Sequence, residues 1–294
     1  MKRFIYIMIF LLFMGFAYGQ DMTFSQFYHN PSATNPALSV VFNGQQRAGT
    51  SIKRQWFTIE KSKYLSLTNA FYNYKFNIIK DDYLSLGGAF FDAGINGYNQ
   101  TTGFLSIAYS KRLRYDKYSG KSQYLIYGIQ AGVGKTYLND GFIFGSQFDK
   151  IKEIPDIGLP SGEYLLDSKI FPDINMGLLW YSTGKNNSVY FGMGAHHINK
   201  PDVSLIQNNQ SKLKTKYSIL MGGEIDVMEN INLLPSFYFN LQGPLYQFIA
   251  GANIRYEYEE SDHNAFRIGI WSRLTNSIEK LTFSDMIFSS VLEF

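Results

Sequence analysis

The sequence contains no cysteine, and charged residues make up only 17% of its 294 residues. Without cysteine the chain can form neither a disulfide scaffold, nor a thiol enzyme, nor a cysteine-ligated zinc site. With 27 Lys+Arg against 24 Asp+Glu, the formal net charge is only +3, which gives no reason to expect a nucleic-acid partner. Long apolar runs are also missing, because no stretch after the first twenty residues approaches the length of a transmembrane helix.

Aromatic residues, by contrast, are abundant. The chain has 25 Phe and 22 Tyr, and aromatics reach 17% of the composition. Disordered chains are poor in such residues, so a folded chain is predicted. The mean hydropathy of -0.15 is ordinary for a soluble protein. An outer-membrane barrel has a similar average, however, because apolar and polar residues alternate along its strands.

The first nineteen residues have the pattern of a signal peptide. Lys2 and Arg3 precede an apolar run over 4–16, and the small residues Ala17 and Gly19 follow it. This pattern predicts cleavage after Gly19 and export of the remaining chain. The alternative is an uncleaved anchor helix, but the apolar run is shorter than the roughly 20 residues that span a bilayer.

After residue 45 the sequence alternates with period two. Between 123 and 133, for example, Tyr127, Ile129 and Val133 share one face while Gln130 lies on the other. Such segments have ten or more residues, and a tilted membrane strand needs about 9–11. A soluble antiparallel sheet also alternates. The charged residues on the polar faces favour a barrel with a wet interior over a dry core. These residues are Lys75, Arg112, Glu224, Asp226, Arg255, Glu257, Arg267 and Arg273.

The predicted fold is all-β: a transmembrane antiparallel β-barrel of about 12 strands over residues 46–294, in the bacterial outer membrane. The predicted strand cores are 46–57, 64–79, 83–92, 98–114, 122–137, 172–183, 187–198, 214–227, 231–240, 245–258, 264–274 and 281–294. The count becomes 14 if residues 142–148 pair within the long loop. Short turns are expected in the periplasm and the long loops 138–171 and 199–213 outside. Residues 20–45, rich in turn-forming Asn-Pro pairs, are predicted to form a periplasmic strap or plug.

No catalytic, cofactor or metal site is predicted, and the chain is not expected to be an enzyme. His196 and His197 are adjacent, so on a strand they would face opposite sides and could not share a metal. No G-x-S-x-G stretch occurs, which weakens the case for a serine hydrolase. Gly134-Lys135-Thr136 lacks the spacing and the helix of a phosphate-binding loop.

Six short motifs follow one another in an order that resembles the PorP/SprF family, outer-membrane proteins of the type IX secretion and gliding machinery. The first is Phe24-Ser25-Gln26 with Asn30-Pro31 and Asn35-Pro36-Ala37. The others are Arg54-Gln55-Trp56, the runs 172–179 and 192–202, Leu234-Pro235-Ser236 with Gln242-Gly243-Pro244, and the run 266–273.

The resemblance implies a component that helps to secrete or anchor a partner at the cell surface. That partner would be a surface protein or adhesin with a type IX C-terminal domain. Periplasmic type IX machinery and outer-membrane lipid are further expected partners. The resemblance also implies a partner-contact motif made of Phe24, Gln26, Asn30, Pro31, Asn35, Pro36, His197 and Pro201. The alternative is a passive porin or small-solute transporter, because a charged interior would suit that role too. A barrel enzyme is less well supported, because no acid–base–nucleophile set is evident.

Overall fold

The structure, a computed structural model, describes residues 21, 23–55, 65–79, 81–139, 142, 144–149, 154–156, 158, 162, 168–185, 187–206, 209–258, 264–277 and 280–293. The predicted signal peptide and its cleavage site lie outside these residues, as do Trp56 and much of the loop 138–171.

Twelve antiparallel strands form one sheet in which each strand pairs with its neighbour in the chain order. They are β1 (Gln46–Gln55), β2 (Leu65–Ile79), β3 (Asp82–Ile95), β4 (Tyr98–Asp116), β5 (Lys121–Leu138), β8 (Ser168–Thr183), β9 (Asn187–His196), β10 (Lys216–Met228), β11 (Ile231–Gln242), β12 (Leu245–Glu257), β13 (Ala265–Ser277) and β14 (Lys280–Glu293). The predicted number of twelve is confirmed, and the predicted bounds differ from these by at most four residues.

The long connection between β5 and β8 holds two further strands. β6 (Phe148–Asp149) and β7 (Ile154–Pro155) pair with each other as a separate two-stranded sheet. Within the described residues they do not join the large sheet, so the alternative of fourteen strands is wrong. A strand of two residues offers too few backbone groups to extend a wall of this length.

In the residues that the structure describes, helical structure is limited to single turns. There are 3₁₀ turns at Phe27–His29, Pro36–Val40 and Gly145–Gln147, and one α-helical turn at Pro31–Thr34. In the part of the chain that the structure describes, no helix is long and apolar enough to cross a membrane.

The two faces of the large sheet differ as the alternation predicts. On β5, Ile129 is 50% exposed and its neighbour Gln130 only 1%. Ile129 pairs with Ile107 on β4 and Met176 on β8, which are also exposed. The apolar face therefore points outward, and the polar face points to the inside.

The sheet curls around residues 21–45, which we call the internal segment. Thr23 accepts a hydrogen bond from Lys53 of β1 at 2.8 Å, and Ser25 lies 2.6 Å from Arg273 of β13. A flat sheet of twelve strands about 4.8 Å apart would be roughly 50 Å wide. One short segment can touch both sides only if the sheet bends round it as a barrel wall does. Among the described residues, no ladder joins β14 back to β1.

The sheet has two unlike ends. At the turn end, short connections link β2 to β3, β4 to β5, β8 to β9 and β10 to β11. At the loop end lie the long connections from β5 to β8 and from β9 to β10. The internal segment runs from the loop end, where Asp21 lies, to the turn end, where it leads into β1.

Candidate functional site

Two Asn-Pro pairs shape the internal segment. Each places a proline at the start of a helical turn, where its missing N–H is not needed. The side chain of Asn35 accepts a hydrogen bond from Ala37 N at 2.9 Å and donates to the carbonyl oxygen of Met193 at 2.9 Å. Asn35 is fully buried. One amide therefore both caps a turn and fastens the segment to the strand β9.

Glycines on the sheet allow this close approach. A Cβ atom on Gly177 of β8 would overlap with Asn35 Oδ1, and one on Gly128 of β5 would overlap with the backbone of Pro36 and Ala37. The glycines thus form a flat patch on the inner face, and the motif 35–37 lies directly on it.

Aromatic packing holds the middle of the segment. The ring of Phe27 stacks on Tyr238 with centroids 5.0 Å apart and meets Trp271 edge-on at 5.7 Å. Tyr28 stacks on Trp271 at 4.8 Å and meets Phe27 edge-on at 5.5 Å. Phe27, Tyr238 and Trp271 are all buried. These rings fill the interior between the segment and the strands β11 and β13.

At the loop end, four ionisable residues form a charge cluster: Asp21, Asp173, His197 and Lys216. His197 Nε2 lies 2.7 Å from Asp21 Oδ2, and His197 Nδ1 lies 2.8 Å from Asp173 Oδ2. Lys216 Nζ lies 3.0 Å from Asp21 Oδ2. Gln242 completes the site, since it donates to Asp21 Oδ1 at 3.1 Å and accepts from Asp21 N at 2.7 Å.

Electrostatics keep Asp21 and His197 ionised at neutral pH. Burial lowers the pKa of His197, but the charge of Asp21 and the hydrogen bonds to Asp173 and Asp21 outweigh it and raise this pKa to about 9. Burial raises the pKa of Asp21, but the charges of Lys216 and His197 bring it well below its usual value. A protonated imidazole therefore donates to two carboxylates, which are charge-assisted hydrogen bonds.

The backbone at His197 explains how two adjacent histidines both reach the interior. The strand β9 ends at His196, and His197 has a φ of 55°, in the left-handed region. Both side chains are buried, at 3% and 8% exposure. The expectation that they face opposite sides is wrong, because it assumed that the strand continues. His196 Nε2 lies 3.4 Å from Thr34 O, so the two rings have different partners.

The cluster does not have the arrangement of a serine-hydrolase triad. Both ring nitrogens of His197 contact carboxylates, so neither is presented to a serine nucleophile. Among the described residues, no group of three or more His, Asp or Glu side chains is arranged to hold a metal ion.

A cavity of about 240 Å³ remains beside the cluster. Phe91 and Phe104 line its apolar wall, while Asn30 and Asp173 line its polar side. The internal segment therefore fills the interior only in part on the side of β3 and β4.

The residues of the predicted partner-contact motif are mostly inside the sheet. Phe24, Asn30, Pro31, Asn35, Pro36, His197 and Pro201 are buried, and Gln26 is half-buried. Their visible contacts are with the chain itself, and a contact with another protein stays a prediction. The periplasmic position of residues 20–45 also stays a prediction. The described part of this segment begins at the loop end and reaches the turn end only near Ser39, whose carbonyl oxygen accepts a hydrogen bond from the hydroxyl of Ser85.

Sequence reasoning did not single out Asp21, Asp173, Lys216 or Gln242. Asp173 falls in one of the matched motifs, and Lys216 opens a predicted strand. Their convergence could not be inferred, because Asp21 and His197 are separated by 176 positions. Only the bending of the sheet brings them together.

The model of one protein family, described as type IX secretion system membrane protein PorP/SprF, matches residues 16–287. The match covers the internal segment, the charge cluster and nearly the whole sheet. It confirms the resemblance that the order of the short motifs indicates. No curated protein matches the chain.

Proposed function

This chain belongs to the PorP/SprF family of type IX secretion system membrane proteins, and we propose that it works in the outer membrane to deliver a secreted surface protein or to hold it at the cell surface. The partner is a surface protein or adhesin that carries a type IX C-terminal domain. In gliding bacteria such a partner would serve motility. The signal peptide predicted at 1–19 supplies the export that this role requires.

The interior of the sheet is the observation that carries this proposal beyond family membership. The protein's own segment occupies it, fastened by the aromatic packing of Phe27 and by the charge cluster. A passive porin needs an open, water-filled lumen instead. The occupied interior therefore favours a component that acts on protein partners over one that conducts solutes.

The two ends would then have different tasks. With the short turns in the periplasm, the loops 138–171 and 199–213 face the outside, where the surface protein is delivered. The turn end faces the periplasmic machinery. Long surface loops carried on a rigid wall are common binding surfaces.

The test is to remove the protein from cells and quantify surface-exposed proteins by labelling of intact cells and mass spectrometry. We expect one or a few proteins with type IX C-terminal domains to disappear from the surface and to return when the chain is restored. Unchanged display of every such protein, together with a reduced uptake of small solutes, would replace this proposal with the porin.

A further inference from the structure

At the turn end, the hairpin between β4 and β5 extends past its neighbour β3, while β8 accompanies β5 almost to the tip. The ladder between β3 and β4 stops at Tyr83 and Ser110, one residue after the start of β3 at Asp82. The strand β4 continues to Asp116, which pairs with Lys121 of β5. Residues 111–116 therefore have β5 on one side and, within the described residues, no strand on the other. We call residues 111–121 the hairpin tip.

The hairpin tip extends beyond the headgroup layer of a membrane. Asp81 and Asp82 lie at the start of β3, and such charges have to lie outside the hydrocarbon. Six further residues at about 3.3 Å each add roughly 20 Å, or about 14 Å of height at a tilt of about 45°. A headgroup layer is only about 5–8 Å thick on each side.

Positive charge is concentrated at this tip. Its cations are Lys111, Arg112, Arg114, Lys117 and Lys121, with Lys185 of the next turn beside Gly120. Three carboxylates are near: Asp81, Asp82 and Asp116. Six cations and three anions leave +3, which equals the formal net charge of the entire chain.

Two of these six cations are already paired. Lys111 lies 2.7 Å from Asp82 Oδ2, and Arg112 pairs with Asp81. Arg114, Lys117, Lys121 and Lys185 make no ion pair with a described residue. All four are exposed.

Apolar groups lie between the charges. Leu113 is 54% exposed, Tyr115 53% and Tyr118 fully exposed. Exposed apolar side chains that are rimmed by polar ones are typical of a surface that another chain covers.

We propose that the hairpin tip binds an acidic, extended segment of a partner protein, which adds as a short strand along residues 113–116. The N–H of Arg112 already donates to Asp82 Oδ1 at 2.9 Å, so strand addition satisfies only the open backbone groups beyond it, and acidic side chains complement the unpaired cations. Lipid headgroups could pair with the cations but could not continue the ladder. The binding chemistry is independent of the proposed function, and only the assignment of the partner to the periplasm rests on it.

The test uses the purified protein in nanodiscs of zwitterionic lipid. The probe is a fluorescent peptide of alternating Glu and Val, and binding is followed by fluorescence anisotropy. Lys117→Glu with Lys121→Glu should weaken binding by about tenfold or more. The matched control, Lys200→Glu with Lys212→Glu, makes the same change in net charge at two exposed loop-end lysines and should leave binding within about twofold.

Two further measurements keep the proposal falsifiable. An unheated-gel shift shows whether each variant is folded, and a peptide with Pro in place of Val should bind poorly, because proline cannot join a ladder. Equal affinity of the wild type, tip variant and control for the Glu-Val peptide would overturn the proposal. So would strong quenching of a Tyr118→Trp variant by brominated lipid, which would mean that the tip lies among headgroups. Either failure leaves the surface-display test of the proposed function untouched.

Discussion

At the scale of single residues, the charge cluster decides how the internal segment is held at the loop end. Buried charges are costly unless they are paired, and here each finds a partner of opposite sign. His197 bridges the carboxylates of Asp21 and Asp173, and Lys216 adds a second contact to Asp21. The removal of one member leaves a buried charge without its partner, which typically costs about 3–5 kcal/mol.

The first prediction concerns pH. Because the pKa of His197 is raised from 6.5 to about 9, its contribution is complete below 6.5 and is lost as pH rises through about 9. The pKa of Asp21 is lowered, so its contribution is present above about 3.8 and is lost as pH falls through the lowered value. The free energy of unfolding, measured with urea in lipid vesicles, should therefore be largest between these limits and decline above pH 6.5.

The variant His197→Gln should lower the free energy of unfolding by about 3 kcal/mol and abolish the alkaline decline. His29→Gln is the control. Burial lowers the pKa of His29, so this residue does not contribute to the decline above pH 6.5. An unchanged alkaline decline in His197→Gln would contradict the assigned role.

The second prediction concerns glycine. In Gly177→Ala, the added methyl group overlaps with Asn35 Oδ1, and we expect a loss of about 1–3 kcal/mol of unfolding free energy. Gly103→Ala, at an exposed position of β4, is the control, because no atom lies within 4 Å of the added carbon. Equal stability of the two variants would show that the segment does not lie on Gly177.

At the scale of elements, the strands are what the sequence specifies best. Alternation is a local property, and a strand such as β5 presents apolar residues such as Ile129 outward and polar ones such as Gln130 inward. Turn residues between these runs set the ends of the strands. The pairing of neighbours in chain order follows from the short connections.

The course of the internal segment could not be predicted in the same way. Its Asn-Pro pairs predict turns, but nothing local shows that Asn35 meets Met193 or that Asp21 meets His197. Those contacts join residues 158 and 176 positions apart and depend on the curvature of the whole sheet. The left-handed φ of His197 was also hidden, because the run 187–198 alternates through it.

The third prediction tests the outward face. Ile129→Arg should cost about 2–4 kcal/mol of unfolding free energy, since the position lies in the middle of β5 on the apolar face. Ile129→Leu keeps an apolar side chain of equal size and should cost less than about 1.5 kcal/mol. Both are measured by urea unfolding in lipid vesicles. A tolerated arginine would mean that this face is not in contact with lipid.

At the scale of the whole molecule, an apolar outer surface surrounds an interior that the chain's own internal segment fills in part. A sheet with polar inner residues could form a pore, but Phe27, Tyr238 and Trp271 occupy the interior here. We propose that partners bind at the two ends of the molecule: at the long loops on one end and at the basic hairpin tip on the other. This division suits a secretion component that joins an outer partner to an inner one.

We expect the internal segment to stay inside the curled sheet while the protein works. Ser32 Oγ lies 3.5 Å from Asn69 Oδ1, and the native chain has no cysteine. Because the chain has no other cysteine, Ser32→Cys with Asn69→Cys allows a single disulfide within one molecule, and an oxidising compartment favours its formation.

The decisive measurement is the surface display of type IX cargo by cells whose only copy of the protein carries this pair, compared with and without reductant. We expect the disulfide to form and display to equal the wild-type level in both conditions. Display that is lost when the disulfide forms and restored by reductant would mean that the segment has to leave the interior, which contradicts the account.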